Sequence, residues 1–156
     1  MTAHVQSRHR IGLPVAADVA LPFFTPIGEE HWVEGWRPEY LWPRYKSNRP
    51  GTVFTTGSGA QTTIWLVADY DTRARRARYV RTTPGVRTGT VEVSVLPLGV
   101  EACEVTVEYA MTALCDSLDG ADPLAPYRGE AFSAMVEGWK AEIEKALPRL
   151  LGQKLS

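Results

Sequence analysis

"EAFSAMVEGWKAEIEKALPRLLG", residues 130–152, decides how the rest of the chain is read. Phe132, Val136, Trp139, Ile143, Leu147 and Leu150 recur at intervals of three and four, while Glu130, Ser133, Glu137, Lys140 and Glu144 take the opposite side. That spacing predicts an amphipathic helix of roughly four turns or more, with Lys140 and Glu144 at i,i+4 on its wet face. Pro148 has no backbone N–H to donate and is expected to kink the helix or end its regular part.

Upstream the period changes to two. Val91, Val93 and Val95 alternate with Glu92 and Ser94, and Val105, Val107 and Tyr109 alternate with Glu104, Thr106 and Glu108. Such exchange of faces is the mark of a half-buried antiparallel sheet. The strand-like runs are "TVFTT" (52–56), "TTIWLVADYD" (62–71), "ARYVRTT" (77–83), "TVEVSVLPLG" (90–99) and "CEVTVEYAMTAL" (103–114). Short turns such as "GSGAQ" and "PGVRTG" join them, which favours sequential hairpins over helical crossovers. A loop, "CDSLDGADPLAPYRG" (115–129), leads into the helix.

The N-terminal part reads as a strand over Ser7–Val15, then "ALPFFTPIGEEHWVEGW" (20–36). Asp18 is placed as an N-cap for "VALPFF", and Thr25 as the cap of "PIGEE" with Pro26 in the first helical position. Glu29 and Glu30 then lie in a first turn, where the helix dipole favours negative charge. Pro22, Pro26 and Gly28 keep these helices short, so Phe23, Phe24, Trp32 and Trp36 are expected to bury against sheet and helix as an end wall. One long helix is too narrow to cover a strongly twisted sheet of six or seven strands, and the remaining volume is a natural pocket.

Composition excludes several classes. The chain has 156 residues, 44% hydrophobic and 22% charged, which fits one ordinary globular domain over 1–156. Lys+Arg 17 against Asp+Glu 18 leaves a net charge of −1, so no global field recruits nucleic acid or an anionic membrane. "RARRAR" (73–78) reads as a solvated turn and an exposed strand face. No run is long and apolar enough for a membrane span, and Pro14, Asp18 and Pro22 interrupt any signal-peptide core, so a cytoplasmic protein is expected. Cys103 and Cys115 read as reduced thiols.

The ordered set "TPIGEEHWVEGW" (25–36), "GTVFTT" (51–56), "TIWLVADYD" (63–71), "ARYVRTTPGVRTGTVEV" (77–93) and "CEVTVEYAMTALCD" (103–116), closed by the terminal helix, carries a resemblance. It resembles the START / birch-pollen-allergen / polyketide cyclase superfamily (SRPBCC), and within it the small bacterial branch labelled by the superfamily name alone. The likeness spans about residues 7–151. It implies an α+β helix-grip fold, with a curved antiparallel sheet of six to seven strands around the C-terminal helix and two short helices after the first strand. It also implies a deep pocket between sheet and helix. Function follows only weakly, since members include lipid carriers, aromatase/cyclases, hormone receptors and co-chaperones.

Candidate chemistry is sparse. "GSG" (57–59) lacks the lysine and helix of a phosphate loop, and no GxSxG elbow is present. His4, His9 and His31 are scattered, and Glu29, Glu30 and Glu34 beside His31 read as surface charges, so no metal or other cofactor is expected. "DYD" (69–71) reads as a solvated strand end bridging to Arg73 or Arg75. The expected cavity lining is Phe24, Trp32, Trp65, Val67, Tyr79, Arg81, Val91, Val93, Val107, Tyr109, Met111, Phe132, Val136, Trp139 and Ile143. Both faces of the Trp65 strand are apolar, and Trp65 with Val67 is the pair favoured as inward. Tyr109 would place a hydroxyl among apolar groups. Arg81, if inside, would be an anion anchor or half of an ion pair; if outside, part of the wet face.

The expected function is binding of an apolar small molecule, lipid-like or aromatic, supported by five Trp, six Tyr and four Phe. An alternative is a polyketide cyclase/aromatase-like enzyme using the same cavity, with Tyr109, Arg81 and Tyr70 as the first residues to mutate. A further alternative is a stress-related or co-chaperone-like interaction module, which needs an exposed apolar patch. Homodimerisation is left open.

Overall fold

The computed structural model describes residues 3–155, with side chains described through residue 152. Seven strands form one antiparallel sheet: β1 (His4–Leu13), β2 (Glu39–Trp42), β3 (Val53–Thr56), β4 (Thr63–Asp71), β5 (Arg76–Thr83), β6 (Arg87–Gly99) and β7 (Ala102–Ala113). Their order is β1-β7-β6-β5-β4-β3-β2, so β2 to β7 form a meander and β1 returns to pair with β7. Between β1 and β2 lie α1 (Ala17–Ala20), a 3-10 turn (Leu21–Phe24) and α2 (Pro26–Glu29), and the chain closes with α3 (Gly129–Leu155). This is the helix-grip fold that the resemblance implies.

Local chemistry explains most boundaries. Thr25 caps α2 in both directions: its Oγ1 accepts from the Gly28 N–H at 3.0 Å and donates to the Pro22 carbonyl at 2.6 Å. Gly28 permits that compaction, because a Cβ there would stand 1.8 Å from the Pro22 carbonyl oxygen. The Asp18 expectation is corrected: Ala16 occupies the cap position of α1 without a side-chain bond, and the Asp18 carboxylate receives Arg75 Nε at 2.8 Å. The first strand begins at His4 and ends at Leu13, earlier than Ser7–Val15 at both ends, because its whole length pairs with β7. Pro148 does not end α3, which continues to Leu155.

Alternation sets the two faces. Val91, Val93 and Val95 of β6 and Val105, Val107, Tyr109 and Met111 of β7 are buried on the concave face. On β4, Val67 is buried and Trp65 is packed against the core from the same side, whereas Ile64 and Leu66 are exposed. A register shift between Val67 and Asp69 then turns Tyr70 inward and Asp69 outward. Asp69 is joined by Arg76 at 3.4 Å, while Asp71 accepts the backbone N–H groups of Arg73 and Ala74 at 3.0 Å. The expected side-chain bridges to Arg73 or Arg75 are therefore replaced by an Asx-type turn and a cross-strand pair.

α3 buries Phe132, Val136 and Ile143 completely in the core shared with the sheet. His9 on β1 meets Glu137 on α3 at 2.6 Å, and Arg149 donates to the His31 carbonyl beyond α2. The convex face of β2 to β4 exposes Leu41, Trp42, Ile64 and Leu66.

Candidate functional site

The concave side divides into two unlike halves. Val67, Val91, Val93, Val107, Met111, Phe132, Val136 and Ile143 are between 0 and 4 % accessible. They border protein atoms and not open space, so the expected pocket face of valines is closed core. Gly89 shows how tightly it closes: a Cβ there would lie 2.0 Å from the Ala110 carbonyl oxygen and 2.7 Å from Met111 Sδ.

The other half is aromatic and carries polar tips. Phe54 of β3 stacks on Trp65 of β4, with ring centroids 5.7 Å apart and planes at 3°. Tyr40 of β2 and Trp36 pack on that pair, and Tyr79 of β5 meets Trp65 edge-on at 6.4 Å. A second aromatic row runs from Phe24 to Trp32 (5.9 Å), to Trp139 of α3 (6.2 Å), to Tyr109 of β7 (6.3 Å) and to Tyr127 (5.4 Å). Arg81 joins the rows. Its guanidinium lies 4.6 Å from the Trp65 ring and 5.7 Å from that of Tyr127.

Backbone anchors hold the walls. Tyr79 donates its hydroxyl to the Phe24 carbonyl at 2.8 Å, Trp32 Nε1 donates to the Phe23 carbonyl at 2.7 Å, and Trp36 Nε1 donates to the Pro26 carbonyl at 2.9 Å. The short helices are thus tied to the rings beside them. Ser7 Oγ donates to the Tyr127 carbonyl at 2.6 Å and fixes the loop before α3.

Arg81 is placed by strand register. It stands opposite Trp65 on one side and Gly89 on the other, and shares the concave face with Tyr79 two residues before it. The even choice between an inner and a wet Arg81 is decided: it points in. Arg81 Nε and Tyr40 Oη are buried and have no hydrogen-bond partner. The Tyr109 hydroxyl is held above its ordinary pKa by burial, with the adjacent Arg81 guanidinium pulling the other way.

Glu29 is the residue that sequence reading assigned to the surface and the structure turns inward. Burial pushes its carboxyl up to about 8, against the opposing pull of Arg81. The residue nevertheless keeps partial accessibility. Tyr40 is pushed up to about 12 by burial and by the charges of Glu30 and Glu29. Glu30 behaves as expected of a surface acid and pairs with Lys46 at 2.9 Å. The missed signal was helical spacing: Glu29 lies four residues after Thr25 and three before Trp32, both buried, and shares their side. Tyr40 sits on a strand too short for parity, and Tyr127 on a loop with no period.

Of the expected lining residues, Phe24, Trp32, Trp65, Tyr79, Arg81, Tyr109 and Trp139 gather at this aromatic end. A depression of about 340 Å³ opens beside it between α3 and the segment after α2, lined by Trp32, His31, Glu142, Ala146 and Arg149 among others. No group of three or more His, Cys, Asp or Glu that could hold a metal occurs among the described residues. Among those residues no helix is long and apolar enough to cross a membrane. Cys103 and Cys115 are both free.

A seven-stranded antiparallel sheet gripping a C-terminal helix, with an aromatic end holding polar tips, defines a helix-grip protein. No family model and no curated protein matches the chain. Solved structures do. Norcoclaurine synthase from Thalictrum flavum, in complex with dopamine and hydroxybenzaldehyde, is 12% identical with a TM-score of 0.61, covering 92% of this chain and 88% of that one. The Zhui aromatase/cyclase from Streptomyces sp. R1128 is 17% identical with a TM-score of 0.60, covering 97% and 93%. Ara h 8.0201 is 11% identical with a TM-score of 0.63, covering 96% and 99%. At these identities the likeness establishes the fold alone, the helix-grip fold.

Proposed function

We propose that the protein binds a small apolar molecule, aromatic or lipid-like, at the aromatic end of the grip between β2–β5, β7 and α3. One observation carries this reading. Arg81 Nε and Tyr40 Oη are buried without partners among aromatic rings, and each such group costs about 1–3 kcal/mol unless something satisfies it. A ligand with oxygen atoms at its periphery meets both needs. Its apolar body gains about 25 cal/mol for each Å² buried against Trp36, Trp65, Tyr109 and Trp139. The norcoclaurine synthase structure holds small aromatic molecules, which is consistent with this use of the fold.

Native mass spectrometry of the protein purified from its host tests the reading, together with fluorescence titration of the neutral probe N-phenyl-1-naphthylamine. A co-purifying small molecule or saturable one-to-one probe binding is expected. A bare mass together with no saturable binding would sink it.

A second reading is a cyclase/aromatase-like enzyme, and Glu29 is the observation that favours it. A carboxyl with a pKa of about 8 beside a guanidinium can donate and retrieve a proton near neutral pH while Arg81 stabilises a developing oxyanion. Turnover of a polyketide-like substrate should then fall about 100-fold or more in Glu29→Gln with ligand binding retained. The interaction-module reading rests on the exposed Leu41, Trp42, Ile64 and Leu66 of the convex face.

A further inference from the structure

We infer that the ligand is an organic anion: an apolar or aromatic body ending in a carboxylate or similar oxyanion, which seats on Arg81. The inference rests on the binding reading above and adds the ligand's charge.

It follows from an unbalanced interior. Arg81 enters the concave side on β5 and is flanked by Trp65 and Tyr127, two ring faces that attract a cation but do not neutralise it. Among the described residues no carboxylate lies within 4.0 Å of it, and its Nε has no acceptor. Several other arginines of this chain do have an acceptor. Arg87 donates to the Pro123 carbonyl at 2.7 Å, and Arg75, Arg76 and Arg128 each have a carboxylate.

The one acid nearby does not supply the missing charge. Glu29 makes no ion pair with Arg81, and burial raises its carboxyl to about 8, which favours the neutral form. The hydroxyls of Tyr40, Tyr79 and Tyr109 in the same aromatic cluster are neutral too, all of them pushed above the ordinary tyrosine range, and that of Tyr109 is a polar neighbour of Arg81 without being a counter-charge. The Tyr79 hydroxyl is already spent on Phe24. Arg81 keeps partial accessibility, but its buried Nε is a cationic donor without an acceptor, and an oxyanion entering beside it would complete the ion pair. A planar oxyanion fits the fork of the guanidinium, while Trp65 and its neighbours receive the apolar body.

Two probes with one skeleton test the charge directly: 1-anilinonaphthalene-8-sulfonate, an anion, and N-phenyl-1-naphthylamine, its neutral counterpart. Wild-type protein should bind both, and Arg81→Met, which keeps the apolar stem, should weaken the sulfonate at least about tenfold while changing the neutral probe less than about twofold. Arg81→Lys should restore part of the sulfonate affinity. Raising the salt concentration should leave sulfonate binding to wild type nearly unchanged, because a buried pair is poorly screened, unlike capture by an exposed arginine. Equal weakening of both probes, or an unchanged sulfonate, overturns the anion assignment but leaves apolar binding standing. Failure of wild type to bind either probe overturns both. Should Arg81→Met not fold, the salt series and the uncharged Arg81→Gln decide: steep salt loss in wild type, or sulfonate binding by Arg81→Gln equal to that of wild type, counts against the assignment.

Discussion

Glu29 shows what a single side chain can reveal about the interior. Its carboxyl is raised from 4.5 to about 8, chiefly by burial. The folded state therefore holds a proton that the unfolded state releases between those two values. Stability from this group is fully present below the unfolded value and is lost as pH rises through the folded one. The loss is on the order of 3 kcal/mol, allowing for the accessibility the residue retains. Glu29→Gln cannot ionise and should lack this fall. Urea denaturation from pH 4.5 to 9 should show wild type and variant nearly equal at the acid end, with the variant more stable at the alkaline end. Parallel curves across the range would show that Glu29 titrates as an ordinary surface acid.

At the scale of elements, legibility followed the length of the pattern. β6, β7 and α3 each carry several periods of alternation or helical spacing, and all three were read with their facing residues in the right places. β2 has four residues and one register shift, so it offered no period to count, and with it went Tyr40. The Arg81 strand was read, but its facing was not, because Tyr79 and Arg81 are polar and apolar on the same side. Only the register against Trp65 and Gly89 decides that. In α2 the cap was legible, and its strength can be measured. Thr25 is almost fully buried and makes two hydrogen bonds, so Thr25→Ala should cost about 1–2 kcal/mol in urea denaturation. Thr25→Ser keeps the hydroxyl and should recover most of it. Equal losses in both variants would assign the effect to the missing methyl group and not to the cap.

Across the whole molecule, the concave side joins a half lined by valines to a half lined by aromatic rings, and α3 contributes Val136 and Ile143 to the core and Trp139 to the rings. Sequence reading expected one cavity bounded by valines and by the helix. The valines of β6 and β7 are instead packed in the core, while larger rings from β3, β4 and β7 pack on one another and on Trp139. The division gives opposite expectations for two residues one helical turn apart on α3. Ile143 is wholly buried, so Ile143→Val should cost about 0.5–1.5 kcal/mol of stability and leave affinity for N-phenyl-1-naphthylamine unchanged. Trp139 is only partly buried and touches both Trp32 and Tyr109, so Trp139→Leu removes a wall of the aromatic end. Probe affinity should fall about tenfold, while stability changes by less than the loss of a fully buried tryptophan. Fluorescence titration and urea denaturation on the same two variants give the comparison. If Ile143→Val weakens the probe as much as Trp139→Leu does, the ligand lies along the whole helix, and the valine half opens when it binds.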